Sequence, residues 1–118
     1  MTVDERIEVL RDLVELREPI LATIGRLRLF PWDSDAALVM LTSNDLIRIL
    51  DRYLRRELSN IEVEEWAEAL EGRDDIGYES QLGGTLRQII FELANPLLTT
   101  PLGPAQARRL KEAIISSD

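Results

Sequence analysis

The chain has 118 residues, of which 45% are hydrophobic and 31% are charged, and it carries a net charge of −8. This length suits one folded domain, and so many charges exclude a protein built mainly from membrane-spanning segments. The chain contains no cysteine, which excludes disulfides and thiolate chemistry. It starts with an acidic, amphipathic stretch and not with the segments of a secretory signal, so we expect a soluble, cytoplasmic protein.

Helical patterns begin near the amino terminus. Thr2 and Glu5 form a Thr-x-x-Glu capping box, and apolar residues recur behind it at helical spacing. Pro19 removes a backbone donor and crowds the preceding turn. The pattern therefore predicts two helices, or one bent helix, between Val3 and Leu29.

A loop with two aromatic residues follows over residues 30–35. We expect Trp32 in this loop to cover the helices as a lid, with exposure as an interface anchor as the alternative. The apolar run from Ala37 to Leu41 is too short to assign, and it could be extended or a turn of helix.

Two capped helices are predicted in the middle of the chain. Thr42 and Asp45 mark the start of the first, and Ser59 and Glu62 mark the start of the second. Gly72 suits the left-handed residue that ends the second helix. The outer arc of the first helix carries a stripe of basic residues, namely Arg48, Arg52, Arg55 and Arg56.

Two further helices complete the predicted fold. Residues 73–80 form a loop, and an amphipathic helix then extends from about Leu82 to the Asn95-Pro96 pair. Pro104 suits the first position of the last helix. Together these elements predict an all-α fold, a compact bundle of five to six helices that forms a single domain over residues 1–118.

The excess negative charge is concentrated in one segment. Between Glu57 and Glu79 lie nine acidic residues and one base, whereas the rest of the chain carries thirteen of each sign. Such a concentration steers basic partners and repels nucleic acid. The residues predicted to form a partner-binding acidic face are Glu64, Glu65, Glu68, Glu71, Asp74 and Asp75.

Two alternatives compete with a partner-binding role for this segment. The first is a solvated face that the neighbouring arginine stripe neutralises. The second is a site for calcium or magnesium, which prefer oxygen ligands, but the alternating calcium-loop pattern is absent. We expect no metal and no cofactor.

The arginines have structural and functional interpretations. The stripe could bind phosphate or nucleic acid, but internal ion pairs or an interface with a second copy suit so acidic a chain better. Arg73 is expected to pair with Glu57 or Glu71 and so to pin the loop after the acidic helix.

Groups that commonly serve in catalysis are missing. There is no histidine general base and no cysteine nucleophile, and the single lysine, Lys111, has no evident apolar pocket. We therefore expect no enzymatic activity, and a metal-dependent hydrolase is the third-ranked alternative.

Three motifs carry a family resemblance. They are Tyr53-Leu54-x-x-Glu57-Leu58, then Trp66-Ala67-x-x-Leu70-Glu71-x-Arg73-x-Asp75-Ile76, and finally Ile90-Phe91-Glu92-Leu93-Ala94-Asn95-Pro96. The stretch resembles small, uncharacterised bacterial helical proteins, some of which are likened to toxin-immunity proteins. The resemblance implies a bacterial helical domain, and the thirteen arginines beside one lysine are typical of a high-GC genome.

The leading functional hypothesis is a small acidic protein-interaction domain. It would bind a basic partner protein, and an immunity-like pairing with a toxin or nuclease is the most specific form of this hypothesis. The alternative is a structural or regulatory helical module that self-associates through an apolar helix face. Both hypotheses exclude nucleic acid and membranes as partners.

Overall fold

The computed structural model describes residues 2–31, 33–79 and 82–116, and this part of the chain forms six helices and a two-stranded sheet. The helices are α1 (Val3–Glu15), α2 (Ile20–Leu27), α3 (Ser43–Leu54), α4 (Asn60–Leu70), α5 (Gly83–Ala94) and α6 (Pro104–Ser116). The strands are β1 (Val39–Leu41) and β2 (Ile76–Tyr78). The mostly helical fold with six helices is confirmed, and the strands correct the stricter all-α prediction.

The central helices begin where their capping residues predict. The Thr42 hydroxyl accepts a hydrogen bond from the Asp45 backbone at 3.2 Å, and the Asp45 carboxylate accepts one from the Thr42 backbone at 3.0 Å. Ser59 and Glu62 make the same reciprocal pair at 3.1 and 3.0 Å. Beyond the end of α4, Gly72 has a φ of 80°, in the left-handed region that favours glycine.

Pro19 separates α1 from α2 as two helices. Helix α1 ends at Glu15, and its C-cap residue Leu16 has a φ of 49°, in the left-handed region. The guanidinium of Arg52 donates to the backbone carbonyls of Glu15 and Leu16 at 3.3 and 3.1 Å. An arginine of α3 thereby satisfies carbonyl groups that a helix end leaves without intrahelical partners.

The strands lie in two segments that the pattern could not assign as extended. β1 lies in the apolar run of residues 37–41, which the pattern predicts as either extended or a turn of helix. β2 lies in the predicted loop after α4. The strands are parallel, with Val39 opposite Ile76 and Leu41 opposite Tyr78. Parallel strands need a long crossover connection, which α3 and α4 provide here.

Glycine at position 77 leaves room for side chains of the neighbouring segment. A Cβ atom there would lie 2.6 Å from the Sδ atom of Met40 and 2.9 Å from the Cβ atom of Ala37. A side chain at Gly77 would therefore require the Met40 side chain to move and Ala37, just before β1, to shift.

One apolar core receives side chains from all six helices and both strands. Trp66 is fully buried in it, and its indole Nε1 donates to the backbone carbonyl of Leu13 at 2.8 Å. Trp32, the predicted lid, lies outside the described residues. Across the described parts of the chain, no helix is both long enough and apolar enough to cross a membrane.

Candidate partner-binding surface

Helix α4 divides its residues sharply between the core and solvent. Its apolar residues Val63, Trp66, Ala67 and Leu70 are buried. The remaining positions of the helix are largely glutamates. One of these, Glu62, lies in the first turn and takes part in the capping box with Ser59. Four carboxylates on the outer side, which we call the α4 face, are half-buried or exposed: Glu64, Glu65, Glu68 and Glu71.

The α4 face has no positive partner within the described chain. None of its four carboxylates forms an ion pair with a described lysine or arginine. Three arginines of the neighbouring stripe pair elsewhere: Arg55 and Arg52 lie 2.6 and 3.8 Å from Glu57, and Arg48 lies 3.6 Å from Asp45. Internal pairing is therefore found for these three, but it leaves the α4 face negative.

The carboxyl group of Glu68 has a raised pKa, because of burial first and of neighbouring negative charge second. Slight burial raises the pKa of its carboxyl group, and the charge of Glu64 and a hydrogen bond with it raise the pKa further. The charges of Glu65 and Glu71 act in the same direction. The face is thus mutually repulsive, which opposes folding at neutral pH.

Replacing Glu68 by glutamine should raise the melting temperature at pH 7, on the order of 1–2 °C, because it removes a like-charge i,i+4 contact with Glu64. The raised pKa means that the folded protein holds this proton more tightly than the unfolded chain. Stability linked to Glu68 is therefore present at low pH and is lost as the pH rises through the raised pKa. The gain should disappear near about pH 3, below the ordinary pKa of glutamate. Melting curves at both pH values test this, and an equal gain at both would contradict it.

Asp75 does not belong to the predicted acidic face. Its side chain is fully buried, and its carboxylate contacts the guanidinium groups of Arg6 and Arg73, each at 2.9 Å. The Arg6 guanidinium also donates to the backbone carbonyl of Asp33 at 2.9 Å. Burial between two cations makes Asp75 a structural residue, and it cannot contact a partner protein.

The predicted pair of Arg73 with Glu57 or Glu71 is wrong for both glutamates in the described chain. Arg73 binds Asp75 through two hydrogen bonds of 2.9 Å, whereas Glu57 pairs with Arg55. The short loop after α4 brings Arg73 and Asp75 together, two residues apart, on the same buried side. That Arg73 pins this loop stays a prediction; the carboxylate it contacts is Asp75, which Arg6 joins to α1.

Asp74 also lies away from the α4 face. It is exposed and lines a shallow depression with residues of the connection between α2 and β1, including Asp33 and Asp35. Of the six predicted face residues, the structure therefore brings together the four on and directly after α4.

Residues of the next helix border the α4 face, and the charge pattern did not reveal them. Asn95 donates from Nδ2 to the two carboxylate oxygens of Glu71, at 3.3 and 3.4 Å. Glu64 and Glu92 line one small cavity of about 80 Å³ together with Pro96. These contacts link residues far apart in the chain, so only the packing of α5 against α4 shows them.

Within the ranges that the structure describes, no group of three or more acidic, histidine or cysteine side chains could hold a metal ion. Every buried side-chain nitrogen or oxygen in those ranges has a hydrogen-bond partner.

Comparison with protein-family models, with curated proteins and with solved structures finds no match to this chain.

Proposed function

We propose that this protein is a small interaction domain that binds a basic partner protein through the α4 face. The observation that supports this is a row of four carboxylates without cation partners in the described chain, although arginines are plentiful on the preceding helix. Local rules of stability are commonly violated at functional sites, and here the violation is repulsion between like charges. A positive partner surface would relieve that repulsion.

The mechanism would be charge complementarity followed by steric occlusion. The negative field accelerates encounter with a basic surface and disfavours partners of the same sign. Once bound, the domain covers the basic surface and blocks its access to other ligands. An immunity-like pairing with a toxin or nuclease fits this mechanism, because nucleases present basic surfaces to their substrates.

The test neutralises three exposed or half-buried carboxylates in one variant, Glu64→Gln, Glu68→Gln and Glu71→Gln. We expect association with the partner to slow by roughly tenfold or more at low salt and to become less salt-dependent, because steering is lost. The partner is first cross-linked to the wild-type chain in cells of the source organism and purified. Association rates are then measured by stopped flow over a range of salt concentrations.

A matched control removes the same charge elsewhere. The substitutions Glu5→Gln, Asp35→Asn and Glu112→Gln change three exposed acidic residues, which lie on α1, in the connection between α2 and β1, and on α6. This control variant should associate nearly as fast as the wild type. An unchanged rate in the α4 variant, or equal slowing in both variants, would show that the α4 face is not the docking surface.

A second candidate function is self-association through α2 and the turn that follows it. Leu21 and Leu29 are 70% and 62% exposed, and a groove nearby is lined by Ile24, Phe30 and Ala69. Apolar surface of this kind marks interaction sites. Analytical sedimentation separates the two candidates. A dimer that is insensitive to salt and that the substitutions Leu21→Ser and Leu29→Ser dissociate would favour self-association. A monomer would favour binding of a basic partner through the α4 face.

A further inference from the structure

The connection between α5 and α6 presents two leucines to solvent. Leu97 is 98% exposed and Leu98 is 77% exposed, which makes them the two most exposed large apolar side chains in the described chain. Phe91, on the last turns of α5, is 41% exposed. Exposed apolar residues gathered in one short stretch indicate an interaction site more strongly than scattered ones.

Hydrogen bonds order this leucine turn (residues 95–99). The Thr99 hydroxyl lies 3.0 Å from the backbone carbonyl of Glu92 and 2.9 Å from that of Asn95. The Leu98 backbone also donates to the Asn95 carbonyl at 3.0 Å. The backbone that carries the leucines is therefore ordered before any partner binds, which reduces the backbone entropy lost on binding.

The leucine turn adjoins the α4 face through one side chain. Asn95 donates from Nδ2 to the Glu71 carboxylate at 3.3 Å and to the Phe91 backbone carbonyl at 2.9 Å. Asn95, the first residue of the leucine turn, thus joins the end of the acidic row to the backbone of α5. Glu64 also lines one small cavity with Pro96 and Thr100, so the α4 face and the leucine turn are neighbours on the surface.

We infer that Phe91, Leu97 and Leu98 are the apolar anchors of the docking surface, and that its occupant is a basic amphipathic segment of a partner protein. The inference rests on the proposed function of the α4 face. An apolar stripe of the segment would cover the leucine turn, and its lysines or arginines would face the four carboxylates. Charge selects this occupant, because a second copy brings another net charge of −8 and an anionic membrane surface is repelled.

The test uses a defined probe, a synthetic amphipathic peptide of leucine and lysine at helical spacing, about 18 residues or five helical turns long. Fluorescence anisotropy measures its affinity for the wild type and for the variant with Leu97→Ser and Leu98→Ser. We expect the variant to bind roughly tenfold more weakly, because anchor residues carry most of the affinity of a docking surface. A second peptide, with glutamine in place of leucine, should bind both proteins equally and weakly.

A matched apolar control is available on α1 and α6. The substitutions Val3→Ser and Ile115→Ser remove two aliphatic side chains that are 62% and 57% exposed and belong to neither candidate surface, and they should leave the affinity unchanged. All four substituted side chains are exposed, so each variant should fold, and melting curves check this. An equal loss in the control variant would show non-specific adsorption of the peptide and overturn the inference.

The outcomes separate this inference from the proposed function. In one outcome, the peptide loses affinity for the Glu64→Gln, Glu68→Gln, Glu71→Gln variant but keeps it for the Leu97→Ser, Leu98→Ser variant. The assignment of the apolar anchors is then wrong, and the α4 face is kept as the proposed docking surface. If only the leucine variant loses affinity, the α4 face is wrong and so is the basic occupant. A wild-type dimer that the Leu97 and Leu98 substitutions dissociate would identify a second copy as the occupant. Wild-type binding to phosphatidylcholine vesicles, lost in that variant, would identify a membrane, and either result overturns the inference.

Discussion

Replacing Asp75 by alanine should destabilise the protein by about 3–5 kcal/mol, the range for removing one partner of a buried ion pair. The Asp75 carboxylate is fully buried, and the two arginine side chains around it are each only 13% exposed. Without the carboxylate, Arg6 and Arg73 would remain desolvated, close to each other and without a counter-charge. Urea unfolding followed by circular dichroism measures the loss.

The neighbouring acid provides the control. Asp74 is exposed and should tolerate alanine within about 0.5 kcal/mol, as surface positions usually do. If Asp75→Ala does not fold, Arg73→Leu supplies a milder version, because Arg6 still pairs with the carboxylate, and a loss of about 1–3 kcal/mol is expected. Equal stability of the Asp74 and Asp75 variants would contradict a structural role for the buried cluster.

Replacing Trp66 by alanine should cost about 3–5 kcal/mol, because it leaves a cavity in the core that neighbouring side chains cannot fill completely. The side chain is fully buried and joins α4 to α1 through its hydrogen bond to the Leu13 carbonyl. Trp66→Phe keeps most of the ring volume and should lose less, about 1–2 kcal/mol, mainly from the hydrogen bond. The same urea unfolding experiment measures both variants.

Ile61 is the matched control for Trp66. It lies on the same helix but is 68% exposed, so alanine there should change the stability by no more than about 0.5 kcal/mol. A Trp66→Ala variant that lost no more than Ile61→Ala would mean that α4 is not anchored to the core through this residue.

The helices could be predicted because their signals are local. The reciprocal capping pairs of α3 and α4 lie three residues apart, and the apolar spacing behind them extends over three turns. The strands could not be predicted, because each has only three residues and no periodicity to detect. They form through pairing across the whole α3–α4 segment, as between Val39 and Ile76.

The same limit explains which of the six predicted face residues lie together in the structure. Glu64, Glu65, Glu68 and Glu71 follow helical spacing, so their common surface could be predicted from the pattern. Asp75 could not be separated from them, because its partner Arg6 lies 69 residues away in the chain. Charge spacing indicates which residues share a helix surface, but only packing shows which charges are neutralised.

The unpaired state of the α4 face has a consequence for how this protein can evolve. Fold-determining charges, such as Asp75 between its two arginines, are buried and cannot change singly without loss of stability. The four carboxylates of the α4 face form no ion pair in the described chain, so substitution there would change the charge of the surface and leave the core intact. Under the proposed function, recognition would therefore diverge between descendants of this sequence while the architecture is inherited unchanged.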